Sequence, residues 1–475
     1  MTKEIFTKSK DMSAEYCCTI VRIGEIVPIE NSDFLATTEL NGRTIVVRKD
    51  QVKEGDVMFY ASNETQINGG FLYANSLYDD KSLNADTERK GYFNKYGRVR
   101  MVKLRGVVSM GYIFSLEELK NFIPVDIPEA ELEKLVDTDF DEVDGKLFIK
   151  AYVPPMPSNG HGSRGEGKRN KKLKKFNRMI DGQFSFHYDT AGLERNMHRF
   201  QPTDNVVVTI KLHGTSMCIG NVKVKMPKWN GLYKKVFNKL PKWLQFTKEG
   251  YDVIYSSRSV IKNSTINENV TDGYYGTDVW GEYYNLLKDY IPRNITIYGE
   301  IVGYTGGSQK MIQKGYDYGC KEGQNYLMIY RVKYHDEHIT KEYDVEEVKN
   351  FTLELYDEIE KNEGSEVASK IRPINILYHG TLQDLYPDIP TETHWHENVL
   401  ARLKTEEKFG MEKNEPMCKN KVPREGIVVR IDGDPVAEAF KLKCLKFLGK
   451  EAEMIDKGEI DDIEMADRYN AEENV

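Results

Sequence analysis

Between positions 15 and 115 the apolar residues fall in short runs, CCTIVRIGEIV, RTIVVRK and DVMFYAS, separated by turn-forming residues. Runs of this length read as strands, and closely spaced short strands predict a small β-barrel or sandwich. Asn41-Gly42, set between ATTEL and RTIVV, is a strong hairpin signal. The stretch GRVRMVKLRGVVSMGYIFS at 97–115 alternates basic and apolar residues and leads into a predicted helix at Leu116–Phe122. Residues 153–170 are rich in Pro, Gly and Ser and read as a linker. Beyond them VVVTIKL, YDVIYSS, NITIYGEIVGY, YLMIYRV, EGIVVRI and AFKLKCL read as strands, and VEEVKNFTLELYDEIEKN as an amphipathic helix. The pattern predicts an α+β chain: a small N-terminal barrel over 1–152, a basic linker over 153–180, a domain of largely antiparallel sheets over 181–450, and an acidic tail over 451–475.

Composition narrows the class without deciding it. With 475 residues, 40% of them hydrophobic and 30% charged, the chain suits two or three globular domains. No apolar run approaches the roughly 20 residues that span a bilayer, and the N-terminus lacks the apolar stretch of a secretory signal, so a cytoplasmic location is expected. The six cysteines, at 17, 18, 218, 320, 418 and 444, contain no CxxC pair, which argues against a disulfide framework or structural zinc.

Charge distribution says more than the net value of −8. Arg164–Arg178 holds eight bases and one acid, and a second basic stretch, Lys223–Lys248, interleaves Trp229, Tyr233, Phe237, Trp243 and Phe246. Residues 451–475 carry ten acids against two bases. Such segregation can offer a phosphate-binding surface on an acidic chain, although either basic run could equally be a solvated face.

Several predicted strand ends carry a charged residue. Lys211 follows VVVTI and precedes Leu-His-Gly-Thr-Ser, where Gly214 permits a sharp turn and a close approach of backbone to phosphate. KxxG alone is uninformative, since it recurs at Lys103, Lys228, Lys361 and Lys446. The segments C-terminal to Lys211 give it weight. Arg258 sits in SSRS. Glu300 interrupts the apolar run ITIYGEIVGY, and Glu425 opens EGIVVRI. A carboxylate so placed is costly unless it is paired, hydrogen-bonded or metal-associated. Lys441 and Lys443, two apart in FKLKCL, project to one face of a strand. Two acids and several bases at strand ends suit a nucleoside triphosphate and its metal ion.

The order of these segments resembles the covalent nucleotidyltransferase superfamily of polynucleotide ligases and capping enzymes. KLHG resembles its nucleophile motif, and SSRS, YGEIVG, YLMIYRV, EGIVVRI and KLK resemble the superfamily's later motifs in order. The histidine of KLHGTS and the segment DTAGLERNMHRF at 189–200 resemble the RNA ligases. The N-terminal part is similar to the OB-type domain that precedes the catalytic domain in certain bacterial and protist RNA ligases. About 32 residues follow Lys443, too few for the C-terminal OB domain expected of DNA ligases and capping enzymes.

The resemblance implies an ATP-dependent RNA ligase in which Lys211 takes AMP. It assigns Glu300 and Glu425 to magnesium or manganese, with ribose hydroxyls as the other option for Glu300. Lys441 and Lys443 fall on the α-phosphate. Arg258 and Ser216 are implied as nucleotide contacts, Tyr330 as the ring stacked on adenine, and Arg195 as a reader of the 5′-phosphate or the β,γ-phosphates. RNA would be held through the basic surfaces, the long insert between Lys211 and Arg258 among them. The alternatives are a ligase of DNA nicks and an RNA-binding protein with an inactive site.

Overall fold

The computed structural model describes residues 5–10, 12–124, 127–153, 176–186, 190–258, 260–264, 278–307, 310–434, 436 and 438–457. Most of the expected basic linker (154–175) and acidic tail (458–475) lies outside the described residues, as does Ser259 of the SSRS run. The chain divides into two compact units: 1–155 with 191–199 and 448–458, and the remainder.

In the first unit the predicted strands form as Cys18–Arg22, Arg43–Arg48 and Val57–Ala61. A four-stranded antiparallel sheet runs in the order Tyr112–Phe114, Val57–Ala61, Cys18–Arg22, Asp139–Phe140. A second sheet contains the Leu35–Leu40/Arg43–Arg48 hairpin. Asn41 and Gly42 both have positive φ, 51° and 70°, as a tight two-residue hairpin turn requires. One face of the first sheet buries Cys18, Ile20, Phe59 and Phe114 against Phe71 and Phe148. The expected helix forms over Leu116–Lys120, where Ser115 and Glu118 make a reciprocal capping box.

The second unit holds two antiparallel sheets. A four-strand set runs in the order Ala439–Lys443, Gly426–Ile431, Asn205–Lys211, Ile376–Thr381. A larger sheet runs in the order Thr247–Ser256, Thr215–Pro227, Ile295–Gly303, Asn325–His335, Thr340–Glu342. Alternation gives each sheet two unlike faces. On the larger sheet Met217, Ile219, Val253, Ile297 and Ile329 pack with helix Val279–Leu287 and with Val348, Leu355 and Ile359 of helix Val345–Glu363. Each such buried aliphatic side chain contributes about 1.5–3 kcal/mol. The helix predicted from VEEVKNFTLELYDEIEKN is therefore the one that covers this sheet, opened by an Asp344–Glu347 capping box.

The opposite face carries Ser216, Cys218, Tyr298 and Glu300, the residues that alternate with those core positions. Strand Thr215–Pro227 was not among the predicted elements, because GTSMCIGNVKVKMP shows no clean period.

Candidate active site

Lys211 is the last residue of its strand and pairs with Gly426, which in turn pairs with Lys443. Directly opposed residues of an antiparallel sheet project to the same side. Lys211 and Lys443 therefore flank a residue without a side chain. Gly426 has a φ of 153°, and a Cβ there would lie 2.0 Å from the carbonyl oxygen of Leu442. Only glycine meets both conditions. Lys441 lies two pairs further along, opposite Val428, on the same face as Lys443.

Glu425, immediately before Gly426, is 4% exposed. Its Oε1 lies 2.8 Å from Nζ of Lys211 and 3.8 Å from Nζ of Lys443. Its Oε2 lies 3.6 Å from Nδ1 of His213 and accepts no hydrogen bond among the described residues. Burial pushes the Glu425 carboxyl upward, but Lys211, His213 and Lys443 outweigh it and bring the pKa down to about 2. The group is an ionised carboxylate shared by two lysines, with one oxygen still able to accept.

Residues 212–214 carry the chain from the smaller sheet to the larger; three side chains hold this crossing and a fourth holds Ser216 just beyond it. The backbone N–H of His213 donates to the Tyr318 hydroxyl at 2.8 Å, and that of Gly214 to Oε1 of Glu300 at 3.1 Å. The Gln313 amide donates to the Gly214 carbonyl and the Trp280 indole to the Ser216 carbonyl, each at 3.0 Å. A Cβ on Gly214 would lie 2.4 Å from the carbonyl oxygen of Ile301, so the loop approaches strand Ile295–Gly303 more closely than any other residue allows. The His213 ring meets Tyr316 and Phe447 edge-on, at centroid distances of 4.9 and 5.0 Å.

On the larger sheet Ser216 and Glu300 are a directly opposed pair. Tyr330 is packed beside Cys218 and Tyr298. Burial drives the Tyr330 phenol well above its ordinary pKa. The Cys218 and Glu300 charges add to this, and the adjacent Ser216 hydroxyl opposes it. Arg258 lies two residues beyond the end of strand Thr247–Ser256, whose last pair is Cys218 with Ser256. Arg430, on the Lys211 face of the smaller sheet, donates to the Tyr330 carbonyl at 3.4 Å and ties the two sheets together.

Lys211, Lys443 and Lys441 thus share one sheet face, with the Glu425 carboxylate against the first two, and Ser216, Glu300 and Tyr330 share another, joined through the 212–214 crossing. Arg195 belongs to the first unit. There its Nη2 lies 2.6 Å from Oδ1 of Asp139, and its Nη1 donates to the Ala14 carbonyl.

Tyr318, Gln313, Trp280 and the Arg424–Glu415 pair were not foreseen. Nε of Arg424 lies 2.9 Å from Oε2 of Glu415, both residues are buried, and Arg424 directly precedes Glu425 in the chain. A partner nine residues away in a loop leaves no periodic signal. Arg430 carried one: it is a base inside the apolar run EGIVVRI, as unusual there as Glu300 is in its own strand.

A family model described as RNA ligase matches residues 204–447, more than half of the chain, and an OB-fold domain model matches residues 17–116. The chain belongs to the RNA ligase family. Among solved structures it is similar to the RNA ligase of Naegleria gruberi. A ligand-free mutant of that enzyme aligns at 17% identity over 93% of this chain and 100% of that one, with a TM-score of 0.52. Mutants bound to AMP and manganese and to ATP and manganese each align at 18% identity over 91% and 98%, with TM-scores of 0.51. At this identity the likeness speaks to the fold, which extends across both units. No curated protein sequence gives a match. Among the described residues no helix is long and apolar enough to cross a membrane.

Proposed function

We propose that this chain is an ATP-dependent RNA ligase that joins a 3′-hydroxyl to a 5′-phosphate through a lysyl-AMP intermediate. The observation that carries the reading is the Lys211–Glu425–Lys443 cluster, a strand-end lysine that shares a buried carboxylate with a second lysine. The Naegleria enzyme of the same fold has been solved with ATP, AMP and manganese, which supports the same donor and metal here.

In the proposed reaction Nζ of Lys211, having shed a proton, attacks the α-phosphorus of ATP. A P–N bond forms, and the bond to the pyrophosphate oxygen breaks. AMP then passes to a 5′-phosphate on the RNA, which returns Lys211. The 3′-hydroxyl next attacks that 5′-phosphorus, forms the new phosphodiester and releases AMP. Catalysis of this kind rests on positioning and charge stabilisation. Lys443 and Lys441 project beside the nucleophile, where they can neutralise α-phosphate oxygens. Glu425 holds Nζ of Lys211 in an ion pair until nucleotide arrives. Tyr330 offers its ring to adenine, with Ser216 on the same sheet face and Arg258 just beyond the edge strand for ribose or phosphate.

The donor set suits a hard divalent cation. Glu425 keeps one buried oxygen without a hydrogen bond. Magnesium or manganese needs only one or two carboxylates when substrate phosphates fill the remaining positions. Glu425 and Glu300 would hold it. When bound, the ion supplies positive charge to the polyphosphate. Arg195 reads a phosphate in this scheme only by exchanging Asp139 for it.

We assign residues 1–152 to the OB-like domain, 153–180 to the basic linker, 181–450 to the adenylyltransferase domain and 451–475 to the acidic tail. RNA is held through basic surfaces, and six free cysteines suit a cytoplasmic protein.

The test is end joining. Protein, ATP and manganese are incubated with 5′-phosphorylated nicked RNA and with the same nick in DNA. Joining of RNA in preference to DNA supports the reading. Joining of DNA alone replaces it with a DNA ligase, and no joining of either, by protein that nevertheless binds RNA, replaces it with a binding module.

A further inference from the structure

We infer that the tip of the Thr215–Pro227/Thr247–Ser256 hairpin grips single-stranded RNA several nucleotides away from the break. The inference deepens the ligase reading and rests on it for the identity of the polyanion.

The two strands pair as far as Pro227 with Thr247, and residues 228–246 form a folded cap on their end. The Tyr233 hydroxyl donates to the Leu244 carbonyl and accepts from the Phe246 N–H, each at 2.7 Å. The Gln245 amide donates to the Phe237 and Leu240 carbonyls, and Phe237 is fully buried. The side chains that the cap leaves outside are therefore held there by its own structure.

It leaves a great deal outside. Trp229 is 49% exposed, Phe246 48%, Trp243 74% and Leu232 76%. Trp229 meets Tyr233 and Phe246 edge-to-face, at 5.0 and 5.7 Å, so these rings form a panel. Around them Lys228, Lys235, Lys239, Lys242 and Lys248 are exposed, and residues 223–248 contain eight lysines and no acid. Exposed apolar surface of this size marks an interaction site. Flat rings set among lysines match the two repeating parts of a single strand: bases that stack and phosphates that carry charge. A chain with a net charge of −8 concentrates positive charge here while remaining acidic overall.

The distance sets what part of the RNA is touched. The strand that ends in this cap starts at Thr215, next to the Gly214 loop. Its thirteen residues, extended as a strand, span roughly 40 Å. That is the length of about a dozen stacked nucleotides. The cap therefore contacts RNA remote from the reacting ends, and its contribution depends on substrate length.

The experiment measures binding of two single-stranded RNAs, one of about 6 and one of about 24 nucleotides, to the full chain and to two variants. Trp243→Ala removes one exposed ring, and Lys239→Glu/Lys242→Glu reverses two exposed charges without touching the buried Phe237 side. For the long RNA, Trp243→Ala weakens binding about 5-fold or more. The double reversal weakens it about 10-fold or more and makes the salt dependence shallower by about two counterions. Binding of the short RNA and formation of lysyl-AMP remain as in the unaltered protein. Equal binding of the long RNA by all three proteins overturns the inference. So does unchanged RNA binding by both variants together with their loss of binding to vesicles containing phosphatidylserine, measured in parallel, which would make the cap a membrane contact. If the unaltered protein takes no AMP yet shows the length-dependent, Trp243-dependent binding, the ligase reading falls and the grip stands.

Discussion

Glu425 places one buried carboxylate oxygen 2.8 Å from Nζ of Lys211. The same oxygen lies 3.8 Å from Nζ of Lys443, so one anion holds two cations. Removing it leaves the cations to repel each other. Glu425→Gln is expected to lower lysyl-AMP formation by about two orders of magnitude or more. Single-turnover adenylation checks this, and a variant within a few-fold of the parent would contradict it.

The same pair has a pH signature. The Glu425 carboxyl ionises at about 2 in the folded protein, against an ordinary value of 4.5. A depressed carboxyl contributes stability that is fully present above 4.5 and is lost as pH falls towards about 2. Urea unfolding across that window should show the parent losing more stability than Glu425→Gln. Parallel losses would remove the proposed coupling.

Gly426→Ala tests the close approach behind the site. The added Cβ meets the Leu442 carbonyl at 2.0 Å, at a φ that L-residues rarely adopt. The strand pair must shift, at a cost of about 1–3 kcal/mol, and Lys211 and Lys443 move with it. Thermal unfolding should fall by several degrees, and adenylation should fall further than stability alone explains. An alanine variant with unchanged adenylation would show that the register is not critical.

How far the sequence alone reaches depends on the range of the interaction. Glu300 stood out because it breaks an apolar strand pattern, Lys441 and Lys443 because strand period puts them on one face, and Lys211 and Glu425 through the order of charged segments at predicted strand ends. The Asn41-Gly42 turn and the helix opened by Asp344 were legible because hairpin and capping chemistry is local. The clamps on the 212–214 crossing were not. Tyr318 and Gln313 reach it from about a hundred residues away, and only the fold brings them there. Strand Thr215–Pro227 was missed for a related reason: Cys218, Gly220 and Val222 face the site side of the sheet, so both faces carry small or apolar residues and the alternation blurs.

The buried Arg424–Glu415 pair predicts a positioning effect. Glu415→Ala leaves a guanidinium buried without its carboxylate, at a cost of about 3–5 kcal/mol. Because Arg424 directly precedes Glu425, adenylation should slow as well. Denaturant titration with a parallel adenylation rate checks both, and a stable, fully active variant would contradict them.

Tyr330 separates stacking from packing. If its ring lies on adenine, Tyr330→Phe keeps the KM for ATP within about 3-fold, while Tyr330→Ala raises it about 10-fold or more, as loss of a base-stacking ring does. An alanine variant that loses stability but keeps its KM would make the residue a core residue only.

The most direct test of the central claim is the intact mass of the protein after incubation with ATP and manganese, beside Lys211→Ala. The account predicts one added AMP on the parent and none on the variant. An adduct that persists in Lys211→Ala, or its absence from folded parent protein, would contradict it.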